Sequence, residues 1–455
     1  MLINKKLIKI LPNHIQQKLE GNHSLNKVIK NTIWLFGERG LQLLLALFVG
    51  VLLARYLGPE QFGIYNFTIA FISIFSSFTQ LGLNGILTRD LVQKPEIKDN
   101  ILGTAFVLRL FGALSSFIVA LITIKLFRSN DLTVQLFVIL LSISHFLDAF
   151  QIIDCWFQSN VLSKYVVIAN SSALLFFYGL NFILVLIKAP LITFAIPLAI
   201  KPLISSIFLV IAYQYLKNKI LNWKFSFVLA KTLLSQSWPL IISSFGSVIY
   251  LKIDQLMLAQ MTTDASVGIY SVAVRLSEVW YFIPMAIATS FFPSLLKTRE
   301  QGIEIYHSKL QKVYDLLVYA ALILAIPITF LATPVIKILY GNAYEESGLI
   351  LSIHIWASVF IFMRALLSKW LIAENMFIFS LVTHASGAII NILFNLLLIP
   401  KFGGVGAAIA TLISYATASY FALFLHSQTW VMGLMMTKAM LAPIRNIHSM
   451  ITIKK

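Results

Sequence analysis

The chain has 455 residues, 59% of them apolar and only 12% charged, with a formal net charge of +17. Ordinary soluble domains are about 45–50% apolar and about 25% charged, so a water-soluble globule is excluded. The apolar residues fall in long blocks, such as Leu41 to Ala54, Phe106 to Phe127, Leu174 to Ile187 and Leu316 to Leu331, a layout suited to a bilayer.

In chain order, residues 1–30 form a basic tail with six Lys and no continuous apolar core, so they do not read as a cleavable signal peptide. Leu7, Leu11, Ile15 and Leu19 recur at helical spacing among the lysines. That pattern suits a segment lying on anionic headgroups, with a solvated basic tail as the alternative. A membrane-crossing helix needs roughly 20 mainly apolar residues, and twelve such blocks follow: 31–57, 62–88, 101–126, 132–157, 164–187, 190–215, 232–261, 267–296, 312–333, 348–372, 377–400 and 403–427. The expected division is a six-span lobe over 31–215, a cytoplasmic linker over 216–231, a second six-span lobe over 232–427 and a cytoplasmic tail over 428–455. With the N-terminus inside, 23 of the 35 Lys and Arg fall in tails and cytoplasmic loops, six in or beside outer loops and six within spans. Both termini on the cytoplasmic side therefore satisfy the positive-inside rule, and the +17 charge reads as membrane topology rather than nucleic-acid binding.

One phrase occurs twice. "LARYLGPEQFGIY" (53–65) and "LAQMTTDASVGIY" (258–270) lie 205 positions apart, each at the outer end of an odd-numbered span and the start of the next. This offset sets span 7 on span 1 and span 8 on span 2, and predicts two parallel repeats related by an axis along the membrane normal. The alternative is recurring turn chemistry, in which Gly63 and Gly268 ease tight turns.

The stretches "LLARYLGPEQFGIYN" (52–66), "YLKIDQLMLAQM" with "VGIYSVAVRLSEVWYFIP" (250–284), "ILYGNAY" (338–344) and "NILFNLLLIPKFGGVGAAIATLISY" (391–415) closely resemble the polysaccharide biosynthesis, or Wzx-type O-antigen, flippases. The resemblance covers nearly every span. It implies the all-α, MATE-like membrane fold, with two six-helix lobes around a central cavity. It also implies a cargo, an undecaprenyl-pyrophosphate-linked oligosaccharide moved from the cytoplasmic to the periplasmic leaflet of the bacterial inner membrane, with polysaccharide polymerase machinery as a candidate partner. The related lipid II flippases carry two further helices, for which the chain after residue 427 has no room.

Ionisable residues inside spans are costly and normally face a bundle interior or an aqueous cavity. The basic ones here are Arg39, Arg109, Lys201, Lys252, Arg275 and Arg364; the acidic ones are Glu38, Asp148, Asp154, Asp254 and Glu278. At about 1.5 Å per residue, Arg39 and Arg109 lie roughly 12 Å from the cytoplasmic ends, and Lys252 and Arg275 roughly 12–14 Å from the outer ends. A pyrophosphate crosses an apolar barrier only if fixed positive charge and hydrogen-bond donors replace its water, and the forked guanidinium suits phosphate oxygens. Arg39, Arg275, Lys252 and Arg109 are therefore the candidate headgroup ligands. The resemblance adds that cavity arginines on the first and eighth helices of lipid II flippases have this role, the helices that here hold Arg39 and Arg275.

The competing reading pairs Arg275 with Glu278, three residues on along the same face. Arg364 is expected to snorkel to headgroups with Lys369. Glu38, Asp148, Asp154, Asp254 and Glu278 are candidates for coupling to Na⁺ or H⁺, against simple charge neutralisation. His145 and the single cysteine, Cys155, read as core residues. Pro197, Pro202, Pro239, Pro284 and Pro327 invite kinks, and "GGVGAAIA" (403–410) reads as close packing.

No Gly-Lys dipeptide and no His-Glu pair occurs, so there is no Walker A loop and no HExxH zinc motif. The short outer loops carry no catalytic constellation. The reading is a non-enzymatic lipid-linked oligosaccharide flippase without cofactor. Its rivals are a cation-coupled drug exporter of the same fold, a membrane enzyme acting on polyprenyl-linked glycans, and a passive scaffold.

Overall fold

The computed structural model describes residues 23–374 and 376–445; the stretch through Leu7, Leu11, Ile15 and Leu19 lies outside the described residues. Secondary structure among the described residues is helical. In chain order the helices are α1 His23–Gln80, α2 Asn84–Gln93, α3 Lys98–Phe127, α4 Leu132–Ser144, α5 Ile152–Ser159, α6 Ser163–Leu186, α7 Ala195–Tyr215 and α8 Phe227–Met261, followed by α9 Asp264–Glu278, α10 Phe282–Gln301, α11 Ile303–Tyr340, α12 Glu346–His354, α13 Ala357–Ala373, α14 Phe377–Ser419 and α15 Trp430–Met440. Nine helical stretches among the described residues are long and apolar enough to cross a membrane, or ten when Phe227–Ile249 and Leu251–Met261, which meet at 48°, count as one. The chain is a multi-pass membrane protein.

Two helices are broken by glycine. In α1 the break is at Gly58, with φ 70° and ψ 171°, a conformation glycine adopts without the Cβ penalty. Pro59 follows and pre-sets the first turn of the second arm. In α14, Gly403 has φ 53° and ψ −130°, three residues after Pro400. These breaks fall at the expected joints between spans 1 and 2 and between spans 11 and 12.

Four expected spans are interrupted. Span 2 turns at Leu81–Leu83 before α2, where Gly82 has φ 60°. Span 8 passes through a 3₁₀ turn at Val279–Tyr281, because Pro284 gives no N–H and its ring clashes with the carbonyl four residues back. Spans 4 and 10 break with no proline or glycine at the joint: α4 gives way to a 3₁₀ turn at Leu147–Gln151 before α5, and α12 ends one residue before the Ile355–Trp356 joint to α13. Under the 205-residue offset, spans 2 and 8 are counterparts, and so are spans 4 and 10.

The chain divides into two compact units. One takes residues up to Gly50 together with Ser76–Ile241; the other takes Val51–Phe75 together with the residues from Ile242 on. The first is packed around Leu83, Leu87, Leu102, Ile152, Phe157 and Leu209, and the second around Tyr314, Leu317, Phe362, Leu366, Met432 and Met436. Met432 and Met436 belong to α15, so the stretch expected as a tail is a helix docked on the core of the second unit. "GGVGAAIA" is close-packed: Ala407, Ala408 and Ala410 are fully buried, and a Cβ on Gly406 would strike the Leu398 carbonyl across the break.

Candidate functional site

In the first unit, the break between α4 and α5 frees main-chain carbonyls that no water can reach within a bilayer, and side chains must satisfy them. Ser206 Oγ donates to Leu147 O at 2.9 Å, and Arg109 donates to Asp148 O at 3.3 Å. The Arg109 guanidinium also donates to Asn84 Oδ1, at the start of α2. Arg109 is 2% exposed, and its Nε has no hydrogen-bond partner among the described residues. Three elements, α2, α3 and the 3₁₀ turn, are thus tied through one guanidinium.

Around this joint the structure gathers half-buried charges. Arg109 lies within electrostatic reach of Asp148 and Asp154, and Lys201 within reach of Asp148 and Glu38. Asp154 accepts from Gln158 at 3.0 Å. A neutral ladder runs beside them, with Gln151 donating to Ser205 at 3.1 Å and Ser205 to Asn170 at 2.8 Å. Glu38 is half-buried while its neighbour Arg39 is exposed, as adjacent residues on a helix must diverge. Arg39 donates to Gln42 Oε1 at 2.7 Å. His145 is buried near Thr79 and Ser116 hydroxyls and Cys155 is 3% exposed, so both are core residues.

In the second unit the corresponding feature is a carboxylate held by neutral groups. Asp254, on α8, is 3% exposed. It accepts from Asn395 at 2.6 Å, Tyr270 at 2.8 Å and Thr411 at 2.5 Å, residues of α14, α9 and the second arm of α14. Asn395 also donates to Asn391 Oδ1 at 3.0 Å, leaving Asn395 Oδ1 and Asn391 Nδ2 buried without partners among the described residues. No group of three or more His, Cys, Asp or Glu is placed to hold a metal ion among the described residues. One carboxylate ringed by hydroxyl and amide groups is a donor set for a proton or a monovalent cation.

Arg275 is half-buried with its guanidinium 5.6 Å from the Phe62 ring centroid, a cation–π contact. No ion pair joins it to Glu278 among the described residues. Lys252 and Glu278 are half-buried and form no ion pair among the described residues. Arg364 differs from expectation. It is 7% exposed and donates to Thr383 at 2.8 Å and Ala418 O at 2.9 Å, with His384 Nε2 2.8 Å away. Interior hydrogen bonding holds it away from headgroups.

The repeated phrase meets itself. A Cβ on Gly63 would run into the Asp264 carbonyl, and one on Gly268 into the Pro59 carbonyl, each four residues earlier in its own copy; each Cβ would also lie 3.0 Å from the other glycine's nitrogen. Neither glycine has positive φ, so they serve close approach and not turn formation. The same hairpin tip is held by Arg55, which donates to Leu339 O at 2.7 Å and Ile338 O at 2.5 Å, satisfying carbonyls at the C-terminus of α11 that no helical N–H can reach. Tyr344 donates to Ala54 O at 2.8 Å. Burial raises the Tyr344 phenol above its ordinary value, so it remains a donor at neutral pH.

Sequence reasoning placed the charges but missed the neutral groups that hold them: Asn84, Gln151, Asn170 and Ser205 in one unit, and Tyr270, Asn391, Asn395 and Thr411 in the other. Asn391 and Asn395, four apart on one helical face within an apolar run, were the available signal.

Residues 28–299 match the family model described as polysaccharide biosynthesis protein. The chain is 33% identical over 182 residues to the probable flippase AglR of Haloferax volcanii, covering 38% of this chain and 37% of that protein, so the aligned part spans little more than a third of that relative. It is 24% identical over 405 residues to the capsular polysaccharide biosynthesis protein CapF of Staphylococcus aureus, covering 86% of this chain and 97% of that one. Among solved structures it is similar to the lipid II flippase MurJ in an inward closed conformation, with a TM-score of 0.70 at 17% identity over 92% of this chain and 93% of that one. At that identity the likeness speaks to the fold alone.

Proposed function

The chain belongs to the polysaccharide biosynthesis protein family, and on that premise we propose that it is a flippase for a polyprenyl-pyrophosphate-linked oligosaccharide. In this reading α1 and α14 each supply two spans, giving twelve in all. The protein sits in the bacterial inner membrane with both termini cytoplasmic, and carries its cargo to the opposite leaflet by alternating access, without catalysing bond formation.

The observation that carries the reading is that Arg39, Lys252 and Arg275 lie within apolar spans and none has a carboxylate ion-pair partner among the described residues. A half-buried cation without a counter-ion, as at Lys252 and Arg275, is expensive, and an anionic headgroup supplies the missing charge; Arg39 is exposed and open to an incoming anion. Arg39 and Arg275 are assigned the phosphate oxygens, and Lys252 is assigned a supporting role as a point charge. Arg109 positions the α4–α5 joint and adds positive potential there. Asp254 is assigned the coupling cation, H⁺ or Na⁺, for which Asn395 Oδ1 is the unpartnered buried oxygen. Glu38, Asp148 and Asp154 balance Arg109 and Lys201.

The test is substitution of Arg39 or Arg275 by Ala at matched membrane abundance. Each should abolish surface polysaccharide and leave lipid-linked oligosaccharide on the cytoplasmic leaflet; unchanged surface polysaccharide in both variants would refute the headgroup role. A cation-drug exporter of the same fold would tolerate both substitutions.

A further inference from the structure

The second unit carries a groove of about 610 Å³ between α10 and the first turns of α11, outside every residue used above. Its wall is made by Phe291 of α10 and by Ile305, Lys309, Lys312, Val313 and Leu316 of α11, with Glu304 at its edge. The α11 residues share a helical face, so the groove has a polarity along the helix axis. The two lysines stand three apart, and the apolar surface of Val313 and Leu316 continues into the span; Leu316 lies about 6 Å beyond Lys312 and about 10 Å beyond Lys309 at 1.5 Å per residue. Glu304 sits about 12 Å from Lys312 in the opposite direction.

The neighbouring cations are neutralised within the protein. Arg299 pairs with Glu374 at 2.7 Å, and Arg445 with Asp315 at 2.7 Å. Lys309 donates to Ser294 Oγ at 2.5 Å and Ser294 O at 3.3 Å, both uncharged. Neither Lys309 nor Lys312 forms an ion pair among the described residues. Two uncompensated ammonium groups at the mouth of an apolar groove, beside a membrane span, match the shape and charge of one kind of molecule.

We infer that this groove binds an anionic glycerophospholipid, with the phosphodiester against Lys309 and Lys312 and an acyl chain along Phe291, Val313 and Leu316. Two lysines against one carboxylate leave the groove net positive, which favours a lipid of net charge −1 over a zwitterion. The lipid would act as a fixed annular component between α10 and α11, independent of the cargo site.

The experiment uses the full chain purified in detergent and titrated with phosphatidylglycerol, phosphatidylcholine or undecaprenyl pyrophosphate, with adducts counted by native mass spectrometry. Phosphatidylglycerol should bind about 30-fold more tightly than phosphatidylcholine, since each near-surface lysine contributes about a five-fold preference for an anionic lipid. Lys312→Ala should remove about five-fold of that preference, and K309A/K312A should abolish it. K309R/K312R should retain it, which separates charge from the Ser294 contact. Equal binding of the two phospholipids would overturn the inference, as would an undiminished preference in Lys312→Ala, a variant that disturbs no internal hydrogen bond. Tighter lysine-dependent binding of undecaprenyl pyrophosphate than of phosphatidylglycerol would overturn it in favour of the cargo.

Discussion

The joint between α4 and α5 and the joint between α12 and α13 are counterparts under the repeat, and they are held by opposite chemistry. At the first, a buried guanidinium grips a main-chain carbonyl and Asn84, with Asp148 and Asp154 in electrostatic reach. At the second, His354 meets Ser277 Oγ at 2.9 Å, its ring lies edge-on to Tyr270 and Tyr415, and Trp356 donates to Thr329 at 3.1 Å. Nearby, the buried carboxylate of Asp254 is met by neutral donors. Two backbone breaks at equivalent positions under the 205-residue offset are thus satisfied by different groups. At the α4–α5 joint a guanidinium does this work, and at the α12–α13 joint hydroxyls and rings do.

The largest effect is expected at Asp254. Asp254→Ala removes the charged acceptor that Asn395, Tyr270 and Thr411 share, at roughly 1.5–3 kcal/mol per hydrogen bond to a charged group, so stability to thermal unfolding in detergent should fall by at least about 3 kcal/mol. Asp254→Asn should preserve most of the fold while removing the cation dependence of transport. Next, Arg109→Met should lose about 1.5–3 kcal/mol, the usual worth of a hydrogen bond to a charged group, and Arg109→Lys should recover only part because it lacks the fork. If the methionine variant unfolds like the unchanged chain, the charge-held joint is not charge-held.

Gly63→Ala and Gly268→Ala should each cost about 1–3 kcal/mol by overpacking. The double variant should cost less than the sum, since both side chains wedge the same crossing. Strict additivity, read from denaturant or thermal curves, would separate the two glycines. At the neutral joint, His354→Leu should cost only about 1 kcal/mol, and a loss equal to that of Arg109→Met would erase the contrast between the units. Arg55→Ala should be smallest, about 0.5–1.5 kcal/mol for exposed hydrogen bonds to the end of α11, visible as faster hydrogen exchange at Leu339 and Tyr340.

Much of this was legible in the residues. The apolar blocks, the boundaries between spans 1 and 2 and between spans 11 and 12, the Gly-Ile-Tyr repeat and the identity of the interior charges all follow from composition and spacing. The interruptions of spans 4 and 10 were not, because those joints contain no proline or glycine and depend on partners elsewhere in the chain: Arg109 and Ser206 for one, Ser277 and Thr329 for the other. Arg364 was misplaced for the same reason. Its distance from the span end favoured snorkelling, and only the positions of Thr383, His384 and the Ala418 carbonyl show that it is satisfied inside. The α15 helix was missed because Met432 and Met436 look like any short apolar stretch until α11 is seen beneath them.

By itself the sequence determined that this chain must live in a bilayer, because so few polar residues cannot cover a globule, and that it must shelter ionisable groups there. It also showed that one phrase recurs at an offset of 205 residues. Only the tertiary structure decided which charges have internal partners and which do not. Partnership depends on distances between residues far apart in the chain, and a hydrogen bond or ion pair exists only within a few ångströms. Arg275 without Glu278, Arg364 within its hydrogen-bond cage and Gly63 against Gly268 are facts of that kind.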